Sequence, residues 1–208
     1  MLSTRIHRVG QVCKTLSIHS TMPATHSIPH SLTHSLTHSP TYTTLLHRSL
    51  SNYTKSYHLT GQGNNTVTTM IQSKQSLSSP IVTDVPHSMG GGNEGPQPVE
   101  LLLASLCGCE LVTAQFIARN MKPKVIINQI DFDIYASRDQ RGAIGMPIGS
   151  DSPLPPSRLE KIWGCATLHT SASVEEIALI ATEVKRRCPI ANMVLLSGCK
   201  LDIEFKKA

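Results

Sequence analysis

The chain has 208 residues, of which 39% are hydrophobic, so it is long enough to bury the core of one domain with extensions. Its formal net charge of +5 lies in residues 1–60, which hold five basic residues and no Asp or Glu. The other 14 of the 19 basic residues are matched by the 14 acidic ones, so no basic face for nucleic acid is predicted. No continuous apolar run of about 18 residues occurs, so no membrane partner is predicted either.

Residues 1–55 are predicted to form a disordered leader. They are rich in Ser, Thr and His, they lack acidic residues, and they carry Arg5 and Arg8 near the start. This composition is typical of an organellar transit peptide, and it predicts a mitochondrial location. The alternative is a disordered tail without a targeting role, on a cytoplasmic protein.

The stretch 95–110, GPQPVELLLASLCGCE, predicts the helix around which the rest of the chain is organised. Pro98 suits the first turn of a helix, and the helix dipole favours the negative charge of Glu100 there. The residues that follow are apolar nearly all round, so we expect this helix to be enclosed on most sides. It should end near Asn120, before Lys122-Pro123.

The ordered domain is expected to span residues 56–208, with strands before the central helix and further strands and one helix after it. The expected strands are a hairpin over 56–72 and the segments 79–85, 124–138, 158–172 and 198–207. A second helix is expected over 174–188, with Ser173 as its cap. Residues 139–157 form a loop insertion, and 89–98 a flexible glycine-rich link. This order indicates an α+β fold and not a βαβ repeat.

Three cysteines lie in or next to the predicted helices and are candidates for a chemical role. Cys107 and Cys109 are about 200° apart around a helix, so they do not share a metal or a disulfide, and packing in the core is an adequate reason for both. Cys188 precedes Pro189, where a regular helix breaks. The basic run 185–187 beside it favours the thiolate, whereas a buried structural cysteine with solvated cations is the alternative.

Two of these cysteines end or begin motifs that resemble those of the OsmC/Ohr family of thiol-dependent proteins. The first motif, GPQPVELLLASLCGC, ends on Cys109. The second motif, RCPIANMVL, has Cys188 as its second residue. The resemblance covers about residues 57–205 without the 139–157 loop. It implies an OsmC-like fold, in which antiparallel sheets are wrapped around the long central helices of an intertwined homodimer.

The resemblance also implies a redox function in the response to oxidative stress. The Cys109 thiolate attacks a small organic hydroperoxide and becomes a sulfenic acid, which Cys188 converts to a disulfide. An external dithiol reductant then restores both thiols. The resemblance implies no metal and no organic cofactor.

Two activating residues of the peroxidase members differ in this chain. Those members have an arginine in the turn between the first strands and a glutamate directly after the proline that opens the central helix. Here the turn 61–65 is uncharged, and Val99 follows Pro98. The substitute activators that we consider are His58, Arg119, His169 and the cations at 185–187.

Two hypotheses therefore stay open. One is a thiol-dependent hydroperoxidase that acts through Cys109 and Cys188. The other is a non-catalytic dimeric binding protein, whose interface pocket holds a small apolar or thiol-reactive ligand.

Overall fold

A computed structural model describes residues 54–63, 65–76, 79–149, 151 and 154–208. The predicted leader lies outside these ranges except for its last two residues. The described residues belong to two compact units, one ending at Gly95 and the other beginning at Pro96.

The described residues of the amino-terminal unit form an antiparallel sheet of three strands, in the order β1-β2-β3. The strands are β1 (Leu59–Gly63), β2 (Thr69–Ser73) and β3 (Ile81–Thr83). The predicted hairpin is thus confirmed. Gly61 and Gly63, which we expect in the turn, lie in β1 instead, because the ladder with β2 continues as far as the Gly63–Thr69 pair.

The buried Asp84 organises the glycine-rich stretch that follows β3, which the sequence predicts as a flexible link. Its carboxylate accepts backbone N–H groups from Val85 and Gly92 at 2.8 Å and from Glu94 at 3.0 Å. Backbone donors outside a ladder need such an acceptor. The loop also packs tightly, since a Cβ on Gly91 would lie 1.9 Å from the Val85 carbonyl oxygen.

Asp84→Asn should destabilise the amino-terminal unit in a pH-dependent way. The hydrogen bonds, that from Glu94 first, hold the pKa of Asp84 below its ordinary value. The stabilisation is therefore complete above the unfolded-state pKa and is lost as the pH falls through the folded-state pKa. Urea unfolding should show a lower midpoint for the variant at pH 7 and a smaller difference near pH ~3. The exposed Asp151→Asn is the control, and an equal difference at both pH values would exclude a role of the charge.

From Pro96 onward, the described residues form four α-helices and the second sheet. The elements of this carboxy-terminal unit are α1 (Pro98–Asn120), β4 (Ile127–Arg138), α2 (Arg141–Ile144), β5 (Leu159–Thr170), α3 (Val174–Arg187), α4 (Pro189–Leu196) and β6 (Lys200–Lys207). The predicted bounds of α1 are confirmed. The Gln97 N–H donates to the Glu100 carboxylate at 2.8 Å, so Glu100 caps this helix.

The second sheet has the order β4-β5-β6, and its strand directions correct one prediction. β4 and β5 are antiparallel as expected, but β6 pairs parallel with β5. The reason is that α3 and α4 form a crossover, which returns the chain to the end of the sheet where β5 began. The unit therefore contains one βαβ connection, which the sequence analysis did not anticipate.

The break at Pro189 separates two helices and does not lead into a loop. α3 ends at Arg187 and α4 begins at Pro189, a position where the missing N–H of proline is tolerated. Cys188 caps both helices, and its Sγ atom accepts the Ala191 N–H at 3.4 Å. The short helix α4 was absent from the sequence prediction.

The core lies between α1, α3, α4 and the inner face of the second sheet. The alternation predicted for β4, β5 and β6 is confirmed, since their apolar side chains face this core. The fully buried side chains among the described residues of this unit are those of Leu106, Ala114, Ala118, Ile162, Ala166, Leu168, Ile180, Val184, Cys188 and Ala191.

α1 is buried on one side only, which differs from the expected enclosure. Leu102, Val112 and Phe116 are 41%, 67% and 52% exposed in the chain. By length and composition α1 is also apolar enough to cross a membrane, which is equally true of the core helices of many soluble proteins. Because α1 carries the buried Glu110 and packs against α3, α4 and β4, we regard it as a core helix.

Candidate redox site

Cys109 lies in the middle of α1 on the side that faces the core. Its side chain is half-buried and packs against the apolar cluster. Cys107 is also half-buried but lies outside that cluster, which agrees with the different faces that the spacing predicts. Burial, and then the proximity of Glu110, raise the pKa of the Cys107 thiol. A raised pKa leaves less of the Cys107 thiol in the nucleophilic thiolate form at neutral pH.

Cys188 is fully buried at the junction of α3 and α4. Burial first, and then the neighbouring Cys109 thiol, raise the pKa of its thiol to about 11, whereas the N–H of Ala191 opposes the shift. Cys188 is therefore a protonated thiol at neutral pH.

The fold thus brings together the two cysteines that the sequence singles out. Both are free thiols, they belong to the same packed cluster, and the Cys109 thiol lies close enough to raise the pKa of Cys188. Cys109 is partly open to solvent, and Cys188 is enclosed. A disulfide between two such thiols requires their Cα atoms to lie within about 7 Å.

The basic run beside Cys188 does not favour its thiolate, and that expectation is wrong. Arg186 donates to the Glu183 carboxylate at 2.7 Å, and Arg187 pairs with the same carboxylate. Hydrogen bonds from the two arginines, that from Arg186 first, lower the pKa of Glu183 to about 2. Because Glu183 engages these cations, burial decides the pKa of Cys188.

The structure places two other candidate activators away from Cys109. His169 Nε2 lies 2.6 Å from Asp131 Oδ2, and both residues are on the outer face of the sheet, since the neighbouring Leu168 is fully buried in the core. Arg119 is nearly three turns, about 15 Å, further along α1. His58 belongs to the amino-terminal unit.

Glu110 is a residue that the sequence analysis did not single out as part of a site. It is 3% exposed, and its Oε2 atom has no hydrogen-bond partner among the described residues. Burial raises the pKa of this carboxyl to about 7. The signal was present in the sequence, because Glu110 falls at four-residue spacing between Leu106 and Ala114, both of which are buried.

The paired thiols and the mixed architecture define the class of protein first: a small α+β protein with a two-cysteine site. No group of three or more His, Cys, Asp or Glu side chains within the described ranges is placed to hold a metal ion. The family model described as "OsmC-like protein" matches residues 90–204, which is more than half of the chain. The chain belongs to this family, as the two cysteine motifs predict.

Solved structures support the same assignment at the level of the fold. An OsmC-like protein from Mycoplasma pneumoniae is 25% identical with a TM-score of 0.57, over 74% of this chain and 98% of that one. An organic hydroperoxide resistance protein from Elizabethkingia anophelis is 14% identical with a TM-score of 0.53, over 74% and 98%. One from Legionella pneumophila is 13% identical with a TM-score of 0.50, over 74% and 97%. No curated protein sequence gives a significant match.

Proposed function

We propose that this protein is a thiol-dependent peroxidase that reduces small organic hydroperoxides through Cys109 and Cys188 in the response to oxidative stress. The contact between the half-buried Cys109 and the enclosed Cys188 is the observation that carries this proposal. The names of the Elizabethkingia anophelis and Legionella pneumophila proteins agree with it. We further propose that residues 1–55 direct the protein to mitochondria, a role that their acid-free composition supports.

The reaction proceeds in three balanced steps. The Cys109 thiolate attacks the outer oxygen of the hydroperoxide, the O–O bond breaks, and the alkoxide takes a proton and leaves as an alcohol. The Cys188 sulfur then attacks the Cys109 sulfenic acid, so that a disulfide forms and water leaves. An external dithiol reduces the disulfide by two exchange steps and is itself oxidised to a disulfide.

The two cysteines take different roles because their environments differ. A hydroperoxide from solvent can approach Cys109, which is partly exposed, but not Cys188, whose exposed fraction is 0%. The raised pKa of Cys188 also makes it the poorer first nucleophile. Cys188 is therefore suited to the second step, in which its partner is already in contact.

We also propose that the protein acts as a homodimer. The exposed side of α1 presents Leu102, Val112 and Phe116, which are apolar and far from fully covered. A soluble chain seldom leaves such side chains of its central helix in water, and a second copy of the same face would cover them.

Consumption of cumene hydroperoxide by the full chain, with a dithiol such as dithiothreitol as reductant, tests the proposed activity. The proposal expects repeated turnovers, with one alcohol formed for each hydroperoxide consumed. Hydrogen peroxide serves as the polar comparison and should react more slowly, since apolar side chains surround Cys109. A folded protein that consumes no more than one hydroperoxide per chain would exclude a peroxidase.

The second candidate is a non-catalytic dimeric binding protein for a small apolar or thiol-reactive ligand. It is favoured by Val99, which stands where peroxidases have their activating glutamate, and by the positions of His169 and Arg119 away from Cys109. This candidate predicts that hydroperoxide or its alcohol binds without being consumed, which the same experiment detects by recovery of the unchanged hydroperoxide.

A further inference from the structure

A cleft of about 210 Å³ lies between α1, α3 and β6, apart from the two-cysteine contact. Neither Cys109 nor Cys188 lines it. Its walls are mostly apolar, from Val184 on α3 and from Leu201, Ile203 and Phe205 on β6. A space of this size is sufficient for a ring the size of benzene.

Glu110 is the side chain in this lining that the fold does not explain. It is 3% exposed, and its Oε2 atom finds no partner in the part of the chain that the structure describes. Burying a carboxyl without a hydrogen bond is destabilising, and an apolar residue would suit the position between Leu106 and Ala114 better. An unsatisfied acid at the wall of a cleft indicates a ligand that satisfies it.

Glu110 does not serve the cysteine pair directly. It follows Cys109 in sequence, but the step along a helix turns its side chain by about 100°. Its electrostatic effect falls on Cys107, one turn earlier on α1. The cleft therefore has its own polar group and its own apolar walls.

The polar groups around the cleft leave the Glu110 carboxyl without a hydrogen-bond donor. The charged or titratable groups that surround Glu110 are Cys107 on α1, Lys185 on α3 and Asp202 on β6. Asp202 lies 4.0 Å from Lys161, and their side chains are 61% and 44% exposed, so this pair is open to solvent. Lys185 lines the same cleft but does not donate to Glu110 Oε2, so this oxygen lacks a donor among the described residues, and an ammonium group on the ligand would supply a charge-assisted one.

We infer that this cleft binds a small protonated amine with an apolar body, whose ammonium group donates to the Glu110 carboxylate while its hydrocarbon part packs against Val184, Ile203 and Phe205. This inference does not depend on the proposed peroxidase activity, because it uses neither Cys109 nor Cys188.

Isothermal titration calorimetry of the full chain with benzylamine tests this inference. Benzyl alcohol, of the same shape but without charge, should bind at least about tenfold more weakly. Glu110→Gln should weaken the binding of benzylamine by a similar factor. Glu175→Gln, which changes an exposed acid at the start of α3, should leave the binding unchanged. Because the ionised carboxylate binds the ammonium, the affinity of the wild-type protein should rise as the pH passes through 7.

Glu110→Leu is a second variant, which tests the inference even if Glu110→Gln fails to fold. We expect this variant to unfold at a higher temperature than the wild type, since it removes an unsatisfied buried acid, and to lose benzylamine binding. Absence of benzylamine binding by the wild type, equal binding by Glu110→Gln, or equally tight benzyl alcohol would each overturn the inference. A lower unfolding temperature for Glu110→Leu would overturn it too, because Glu110 would then be needed by the fold.

Discussion

Cys109→Ser should reduce the rate of cumene hydroperoxide consumption by at least about a thousandfold, which is typical of the loss of a catalytic nucleophile. Serine has nearly the same shape, but its hydroxyl is not ionised at neutral pH and is a far weaker nucleophile than a thiolate. The substitution leaves the packing of α1 nearly intact, so the far-ultraviolet circular dichroism and the unfolding temperature should stay close to those of the wild type.

The other cysteines provide matched controls in the same assay. When the dithiol is left out, Cys188→Ser should react once per chain and stop at the sulfenic acid of Cys109, where the wild type goes on to the disulfide, because no second thiol is in contact with Cys109. Cys107→Ser, two residues away on another face of α1, should turn over at the wild-type rate. Loss of turnover in Cys107→Ser together with an active Cys109→Ser would move the nucleophile to Cys107.

Val112→Asp combined with Phe116→Asp should convert the proposed dimer into monomers. Both side chains are more than half exposed in the chain, so the substitutions are tolerated within one copy. In a dimer the same positions would bury two unpaired carboxylates per subunit, which costs several kcal/mol for each buried charge. The dissociation constant should rise at least about a hundredfold.

Sedimentation equilibrium of the wild type and the double variant measures this effect. Asn128→Asp, an exposed position on β4, adds a carboxylate outside the apolar side of α1 and should leave the dimer intact. A wild-type protein that sediments as a monomer, or a double variant that remains dimeric, would show that this side of α1 is not the subunit interface.

The elements that the sequence predicts well are those with local signals. Pro98 and Glu100 mark the start of α1 because the cap is formed within four residues. The core-facing residues of β4 follow from strict alternation, and Ile130 is accordingly buried while Asp131 is exposed. Neither result requires knowledge of any distant part of the chain.

The elements that the sequence predicts poorly depend on distant contacts. The parallel direction of β6 is determined by the path of the α3–α4 crossover. The alternation of Leu201 and Ile203 gives no information about that path. A proline can mark the end of one helix or the start of the next. The sequence therefore does not show that α4 begins at Pro189.

The candidate site divides in the same way. Cys109 and Cys188 are identified by a resemblance that preserves their motifs, whereas their contact and the burial of Cys188 are three-dimensional facts. The cations beside Cys188 suggest a stabilised thiolate, but Glu183, one turn earlier, forms ion pairs with two of them. The spacing of Glu110 between Leu106 and Ala114 indicates its burial, but its missing hydrogen-bond partner and its place in a cleft become evident only when α1 is packed against α3 and β6.

The central claim is that Cys109 and Cys188 act as one redox pair, and mapping the disulfide after oxidation tests it most directly. The full chain is treated with one equivalent of cumene hydroperoxide, free thiols are alkylated, and tryptic peptides are analysed by mass spectrometry. Fragmentation must distinguish Cys109 from Cys107 and Cys188 from Cys199, because trypsin leaves each of these two pairs on one peptide. We predict a Cys109–Cys188 disulfide as the main product. Recovery of both residues as alkylated thiols, or a disulfide that joins either of them to another cysteine, would contradict the account.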